Sequence, residues 1–198
     1  MCKKRVIFTN VRIIILVFLV IAFVFLLSIR SEFTNYLDTK YTEQSFKVGF
    51  TKIDPIYGHY YANVTCLNDD TSFPISKGFK TKKINDDYIQ YKSRNQYNFK
   101  IKSIFDGTKV QKNISSVTGG GKTPFENNAS YEQVNMYLIS DQVKAAKEVL
   151  QILKEKNIYA EKVIFTYEKD KHLYELHLSS TDYNLTEEEI ELSIMKIK

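Results

Sequence analysis

Hydrophobic residues are distributed unevenly along the chain, and the densest run extends from Ile13 to Ile29 without a charged residue. Fifteen of its 17 positions are Ile, Leu, Val or Phe. At ~1.5 Å per helical residue the run spans about 25 Å, near the short end for a membrane-spanning helix. Its insertion into a bilayer is favourable by about 4–9 kcal/mol. The run therefore predicts a transmembrane anchor over residues 13–29, with the lipid bilayer as its partner. Its apolar surface includes Ile13, Leu16, Phe18, Ile21, Phe25 and Ile29.

Charged residues flank this run asymmetrically. The basic residues before it are Lys3, Lys4, Arg5 and Arg12, whereas only Arg30 follows it closely. By the positive-inside rule, residues 1–12 form a cytoplasmic tail and the chain after the anchor is extracytoplasmic. A cleaved signal peptide has the same layout and stays open as an alternative, as does a buried helix of a soluble protein. A retained anchor is favoured because the apolar run is long for a signal peptide and no A-x-A cleavage site follows it.

The pattern after the anchor predicts a first α+β lobe over residues 30–114. Phe33, Leu37 and Tyr41 recur at helical spacing, which predicts a stalk helix that continues from the anchor. Hydrophobic and polar residues then alternate in short runs, as expected of strands with one buried face. These strands cover residues 46–50, 60–67 and 72–76, a helix follows from Tyr88 to Ile104, and another strand covers residues 109–117.

A Gly/Asn-rich segment over residues 115–128 predicts a linker, because it contains three consecutive glycines, Pro124 and two adjacent asparagines. The net charge changes sign at this segment, from +5 over residues 31–124 to −5 over residues 125–198. The second lobe, residues 129–198, has a strand, a helix after Ser140 and two strands joined by a turn. A final helix begins at a capping box of Thr186 and Glu189 and runs to the C-terminus.

These elements predict an α+β protein: an N-terminal transmembrane helix followed by two small helix-on-antiparallel-sheet lobes. The β-α-β-β-α order makes the second lobe ferredoxin-like. The composition, 43% hydrophobic and 26% charged, is globular. The net charge of +5 belongs to residues 1–30, since the rest of the chain carries 23 charges of each sign. A nucleic-acid partner is therefore not expected.

The glycine-rich segment also resembles a phosphate-binding loop. Ser116–Thr123 reads SVTGGGKT, and Gly121, Lys122 and Thr123 fit the end of the motif G-x-x-x-x-G-K-[ST]. Ser116 occupies the place of the first glycine, and Pro124 follows where a helix must begin. A linker is the preferred interpretation, and no nucleotide cofactor is predicted.

Other reactive residues do not form recognised sets. Cys66 lies on the apolar face of its strand, which predicts a small buried side chain. The three histidines, His59, His172 and His177, lack the spacing of metal ligands. Ser193–Lys196 matches S-x-x-K without its companion motifs. The pairs Asp69/Asp70 and Asp86/Asp87 fit a turn and a helix start. No catalytic, cofactor-binding or metal-binding residue is predicted, and the chain is not expected to be an enzyme.

Two surface features leave a binding role open. Lys77, Lys80, Lys82 and Lys83 form a basic cluster that could contact anionic lipid or wall polymer, although a solvated surface is the preferred interpretation. The 14 tyrosines could form a platform for sugars or peptides, although half-buried packing explains most of them. An envelope protein or a wall polymer is therefore the kind of partner that the sequence admits.

The N-terminal half also resembles a known family. A short basic tail, one apolar anchor, the stalk FTNYLDTKYTEQSFKV and the later segments YGHYYANV and NDDYIQYK resemble the YfjL-like family of uncharacterised single-pass membrane proteins of Bacillus and relatives. The resemblance covers mainly residues 1–100. It implies a single-pass topology and carries over no catalytic residue. The Lys-, Asn-, Ile- and Tyr-rich composition is likewise typical of a low-GC bacterium.

Three functional hypotheses follow. The first is a cell-membrane protein with a cytoplasmic N-terminus and an extracytoplasmic, non-catalytic α+β binding or accessory module. The second is a cell-envelope hydrolase whose residues come together only in the fold, which requires a histidine close to Asp, Glu or Ser in a deep pocket. The third is a regulatory partner of another membrane protein, for which the anchor sequence itself would be specific.

Overall fold

A computed structural model describes residues 2–125 and 130–197, with side chains from residue 13 onward. The chain has an α+β fold in which an N-terminal apolar helix precedes units of sheet and helix, as the sequence predicts. It divides into two compact units, Met1–Tyr91 and Lys92–Lys198, which we call unit 1 and unit 2. Each unit contains one five-stranded sheet.

The first element of unit 1 is one continuous helix, α1, from Cys2 to Lys40. The predicted stalk helix is therefore confirmed as an uninterrupted continuation of the apolar run. Ile29, Phe33 and Leu37 are buried, and their spacing of four residues places them on one face of α1. This stripe belongs to the hydrophobic core of unit 1.

The sheet of unit 1 is antiparallel throughout and contains β1 to β5. Its central strand β3 pairs with β4 on one side, and β4 pairs with β5. On the other side of β3, β1 pairs with its second half and β2 with its first half. The strands are β1 (Phe46–Val48), β2 (Lys52–Asp54), β3 (His59–Cys66), β4 (Ser72–Gly78) and β5 (Ile84–Asp86).

Alternation along the strands explains the packing of this sheet. Ala62, Val64 and Cys66 of β3 are buried, and so are Phe73 and Ile75 of β4. They join the α1 stripe in a single core, whereas the intervening side chains point to the opposite face. The predictions of strands over residues 60–67 and 72–76 are confirmed, and β2 and β5 are short strands that the pattern did not predict.

Unit 2 begins within helix α2 and continues as a five-stranded sheet in the order β10-β9-β8-β7-β6. Its helices supply a buried stripe from α3, which includes Ala146, Val149 and Leu153, and further core residues from α2. The elements are α2 (Tyr88–Ser103), β6 (Ile114–Gly120), β7 (Tyr131–Leu138), α3 (Gln142–Glu155), β8 (Ala160–Lys169), β9 (His172–Leu178), α4 (Glu187–Leu192) and β10 (Ile194–Lys196).

The predicted β-α-β-β-α order is present from β7 to α4. The strand order differs from that of the split βαβ unit of ferredoxin-like folds, in which another strand lies between the two parallel strands. Here the two parallel strands, β7 and β8, pair with each other directly. The reason is that the tight β8–β9 hairpin keeps β9 on the side of β8 away from β7, and β6 occupies the other side of β7.

Three segments of unit 2 differ from the prediction in their secondary structure. Lys109–Asn113 form a short 3₁₀ turn rather than the start of a strand. Ile114–Gly120 form β6, so much of the segment predicted as a linker over residues 115–128 is hydrogen-bonded sheet. Within that segment, Asn127 and Asn128 lie outside the described residues. The final helix does begin at the Thr186–Glu189 capping box, but it ends at Leu192, and β10 follows because its backbone pairs with β9.

Candidate functional site

The apolar part of α1 is the first candidate site. It is long and apolar enough to cross a membrane, and a signal sequence near an N-terminus has the same property. Of the predicted anchor residues, Ile13, Leu16, Phe18, Ile21 and Phe25 expose much of their side chains. Ile29 differs, because it is 3% exposed and belongs to the core of unit 1. The side chains of Lys3, Lys4, Arg5 and Arg12 lie outside the described residues.

A hydrogen-bonded cluster fixes the end of α1 to the sheet. The buried Asp86 carboxylate accepts hydrogen bonds from Tyr36 Oη at 2.8 Å, Lys40 Nζ at 2.7 Å and Tyr41 Oη at 2.9 Å. Burial opposes ionisation of Asp86, but these three donors outweigh it and hold the pKa of its carboxyl below the usual range. The same bonds raise the pKa of Lys40 against the effect of its own partial burial. The cluster is an ionic and hydrogen-bonded connection between α1 and β5.

A second cluster connects the start of α2 with the end of β3 and the turn between β3 and β4. Tyr88 is buried, and its Oη donates to Asp69 Oδ2 at 2.8 Å. The Cys66 thiol lies 3.5 Å from Tyr88 Oη and from Gln44 Oε1. Desolvation opposes ionisation of Asp69, but the bonds from Tyr88 and the Thr71 backbone lower its pKa to about 2. Burial, followed by these neighbours, raises the pKa of Tyr88.

The residues of both clusters have roles in holding the fold together. Cys66 is buried as the sequence predicts, and its thiol has polar neighbours that the alternation of residues did not reveal. Asp69 also accepts the Thr71 N–H in a turn, and Asp86 accepts the Tyr88 N–H at the start of α2. Asp69 and Asp86, one residue of each pair, thus have the turn and helix-start roles that the sequence predicts.

An open groove on the solvent face of the unit 1 sheet is the second candidate site. We call it the sheet groove, and its volume is about 490 Å³. The strand registers bring its residues together from β2, β3, β4 and β5, since His59 lies opposite Asp54 and Ser76 lies opposite Asn85. The polar residues of its lining are Asp54, His59, Tyr61, Ser76, Asn85 and Asp87.

The groove combines aromatic, acidic and neutral hydrogen-bonding groups. The His59 and Tyr61 rings meet edge to face with centroids 5.8 Å apart, and Lys52 Nζ lies 6.0 Å from the Tyr61 ring centre. Asp54 uses its Oδ1 to accept the N–H groups of Ile56 and Tyr57, both at 3.0 Å. Within the described residues, no hydrogen bond joins His59 to a carboxylate or hydroxyl. The groove therefore offers an aromatic surface, carboxylates and neutral polar groups side by side.

The other histidines lie elsewhere on exposed surface. His177 Nε2 pairs with Glu175 Oε2 at 2.7 Å on a strand, and His172 begins β9. Ser193 donates its hydroxyl to the Glu189 carbonyl, and Lys196 lies in β10. The sequence suggested none of these as a site, and all four belong to unit 2. Among the side chains described, those of residues 13–125 and 130–197, no group of three or more His, Cys, Asp and Glu is arranged to hold a metal ion.

The glycine-rich segment has a structural explanation. Gly119 belongs to β6, and its N–H donates to Asn98 Oδ1 at 2.8 Å. A Cβ atom at Gly119 would lie 2.7 Å from the Tyr131 ring, and one at Gly121 would lie within 2.3 Å of the Tyr97 ring. Lys122 forms an exposed ion pair with Glu161, which raises its pKa. An extended strand does not form the curved cradle of amides that a phosphate loop requires.

Comparison with known proteins found no family model, no curated protein and no solved structure that matches this chain.

Proposed function

We propose that this chain is a single-pass protein of a bacterial cell membrane, with residues 1–12 in the cytoplasm and an extracytoplasmic, non-catalytic α+β module that binds an envelope component. The resemblance to the YfjL-like family supports the single-pass topology. The charge asymmetry around the apolar run supports the orientation.

The observation that carries the proposal is the continuity of α1. The helix does not end where the apolar run ends, and its next residues belong to the core of unit 1. Signal-peptide cleavage near Ser28 or Ser31 would cut this helix beside the buried Ile29, at the start of the stretch that packs in the core. Retention of the run is therefore favoured over its removal, and the module is attached to the anchor by a helix without a flexible joint.

The sheet groove supports binding of a wall polymer as the accessory role. Aromatic rings such as Tyr61 stack on the apolar faces of sugars, while Asn85 and Ser76 supply hydrogen bonds to hydroxyl groups. Asp87 and Asp54 add negative charge, which favours a polymer that carries amino groups. The open shape of the groove accommodates an extended chain rather than an enclosed small molecule.

Protease shaving of intact cells tests the topology. A C-terminally tagged chain should lose its tag to external protease, while a cytoplasmic control protein remains intact. The mass of the untreated chain should equal that of all 198 residues, 23.1 kDa before the tag is added. A protected tag would contradict the orientation, and a product that begins near residue 30 would contradict retention.

Co-sedimentation with purified wall polymer tests the groove. The full chain in detergent should sediment with the polymer, and Tyr61→Ala or Asp87→Asn should reduce the bound fraction several-fold. Asn63→Ala is the matched control, because Asn63 is exposed on the same face of β3 but does not line the groove. Equal binding by all four proteins would remove the groove from the proposal.

Hydrolysis is the second candidate, because the groove gathers His59 with Asp54, Asp87 and Ser76. Release of soluble fragments from the polymer by the wild-type chain, and its loss in His59→Ala, would replace the binding proposal by this one.

A further inference from the structure

The strand directions in unit 1 bring two turns to the membrane end of the sheet. The Tyr41 and Phe46 rings meet near the end of α1, with centroids 5.7 Å apart. From there β1 runs back along α1, since Arg30 Nε donates to the Val48 carbonyl. The turn between β2 and β3 and the turn between β4 and β5 therefore both lie at the end of the sheet that faces the apolar run. Phe79 N–H donates to the Gly58 carbonyl, which joins the two turns.

This end of the sheet touches residues of the apolar run itself. The Phe50 ring stacks on Phe23 with centroids 6.2 Å apart, and the Tyr60 ring meets Phe25 at 5.5 Å. Phe79 in turn packs on Tyr60 at 4.6 Å. Contacts between unit 1 and α1 therefore extend towards the N-terminus of the helix, beyond Ile29 to Phe23.

Around these contacts the surface is apolar. Ile56 and Tyr57 in the β2–β3 turn are 87% and 79% exposed, which is unusual for such residues when they occur together. Phe50, Ile53 and Phe79 also expose a large part of their side chains. We call these five residues the apolar rim: Phe50, Ile53, Ile56, Tyr57 and Phe79. Exposed lysines adjoin the rim, namely Lys52, Lys80, Lys82 and Lys83.

The length of the apolar run, compared with the thickness of a bilayer, indicates that lipid covers the rim. Ile13 and Phe23 are separated by only about 15 Å of helix, half of the ~30 Å of a hydrocarbon core. Even the whole run to Ile29 spans about 25 Å, so the membrane has to extend beyond Phe23 and Phe25. The parts of unit 1 that contact these two rings are consequently at membrane depth.

We infer that the apolar rim lies in the outer leaflet, among the lipid headgroups and the adjoining part of the acyl chains, so that unit 1 rests on the bilayer as well as being anchored in it. Aromatic and aliphatic side chains with lysines beside them are the composition of such interfacial surfaces. The lysines favour anionic lipid. The basic cluster seen in the sequence thereby acquires a role, except that Lys77 is paired with Glu32 of α1. This inference rests on the proposed membrane anchor.

Tryptophan fluorescence of the full chain in vesicles tests the inference, because the chain contains no Trp. The probe is Ile56→Trp in vesicles of phosphatidylcholine and phosphatidylglycerol that carry quenchers at the headgroup or deep in the acyl chains. Its emission should shift to the blue, and headgroup quenchers should reduce it more than deep quenchers. The matched control is Leu67→Trp, because Leu67 is 59% exposed at the opposite end of β3. Its emission should be quenched by aqueous acrylamide and unaffected by lipid quenchers.

A third variant separates this inference from the anchor on which it depends. The emission of Phe18→Trp should be reduced by the deep quenchers if α1 spans the bilayer. Deep quenching of Phe18→Trp together with purely aqueous quenching of Ile56→Trp would overturn the rim inference and leave the anchor intact. Absence of deep quenching in Phe18→Trp would instead overturn the anchor. Emission of Ile56→Trp that is blue-shifted but insensitive to every lipid quencher would mean that protein covers the rim, which also overturns the inference.

The role of charge is tested in the same system. Ile56→Trp should be quenched more strongly by headgroup quenchers in vesicles that contain phosphatidylglycerol than in phosphatidylcholine alone. The added changes Lys80→Gln and Lys83→Gln remove two of the four lysines beside the rim and should reduce this difference. Tyr57→Trp provides a second fluorophore in the same turn if Ile56→Trp fails to fold. Equal quenching in both kinds of vesicle would contradict the preference for anionic lipid.

Discussion

Lys40 Nζ lies 2.7 Å from Asp86 Oδ2, and this contact joins the last turn of α1 to the end of β5 across 46 residues of sequence. Asp86 has no exposed side-chain surface, whereas Lys40 is partly exposed. The carboxylate also receives the hydroxyls of Tyr36 and Tyr41, so its charge is matched by three donors. The long apolar helix α1 is thereby fixed in orientation on the sheet that follows it.

Removing the charge of Asp86 should destabilise unit 1. Asp86→Asn leaves the Lys40 ammonium without a counter-charge and turns charge-assisted hydrogen bonds into neutral ones, so we expect a loss of about 2–3 kcal/mol in the free energy of unfolding. Labelling of the buried Cys66 thiol in a Cys2→Ser background measures the opening of unit 1 by urea. Asp87→Asn is the control, because Asp87 is exposed and its neutralisation should be nearly silent. An equal effect of the two variants would contradict this account.

Asp69 should contribute to acid sensitivity. Its pKa of about 2 in the fold lies below the usual 3.8, so its ionisation stabilises the folded state above pH 4 and this contribution disappears as the pH falls towards 2. Because the residue is exposed, we discount the full linkage value and expect about 1 kcal/mol. Asp69→Asn should flatten the dependence of stability on pH between 4 and 2, as measured by urea unfolding.

The neighbouring Asp70 supplies the control for that measurement. It has a positive φ of 54°, which asparagine adopts readily, so Asp70→Asn preserves the backbone of the turn. Its acid profile should match that of the wild-type chain. If Asp70→Asn flattened the profile as much as Asp69→Asn does, the Tyr88–Asp69 bond would not be the origin of the effect.

Local patterns were sufficient to predict much of the fold. Helical spacing of Phe33 and Leu37 predicted the stalk, and alternation predicted β3, because both depend on which face of a regular element is buried. The Thr186–Glu189 capping box marked the start of α4, because capping depends on residues three positions apart.

Features that depend on distant partners were not predictable. The end of α4 at Leu192 depends on the edge that β9 offers to β10, which no local pattern encodes. The sheet groove depends on the registers of four strands, so its residues are scattered over the sequence from Asp54 to Asp87. The apolar rim was hidden for the same reason, since the directions of β1 and β4 alone bring Phe50 against Phe23 of α1 and Phe79 against Tyr60.

Replacing Thr51 by valine should stabilise unit 1. Thr51 is buried. Among the buried side-chain polar atoms of the described residues, its Oγ1 lacks a hydrogen-bond partner. Thr51→Val keeps the shape and removes the unsatisfied hydroxyl, so we expect unit 1 to gain about 1 kcal/mol. Thr65→Val is the control, because Thr65 Oγ1 shares a 3.0 Å hydrogen bond with Ser72 Oγ and should not gain stability. Urea unfolding followed by Cys66 labelling distinguishes the two.

The three consecutive glycines of β6 and its following turn should differ sharply in their tolerance of alanine. A Cβ at Gly119 or Gly121 would collide with the rings of Tyr131 and Tyr97, whereas one at Gly120 would meet nothing within 4 Å. None of the three has a positive φ, so the difference between them is one of space alone. Gly119→Ala and Gly121→Ala should each destabilise unit 2 by about 1–3 kcal/mol through overpacking, and Gly120→Ala should be neutral or slightly stabilising.

Urea unfolding monitored by circular dichroism measures all three. A flexible linker would instead tolerate alanine equally at each position, so uniform behaviour of the three variants would contradict the packing of these glycines beneath the tyrosine rings.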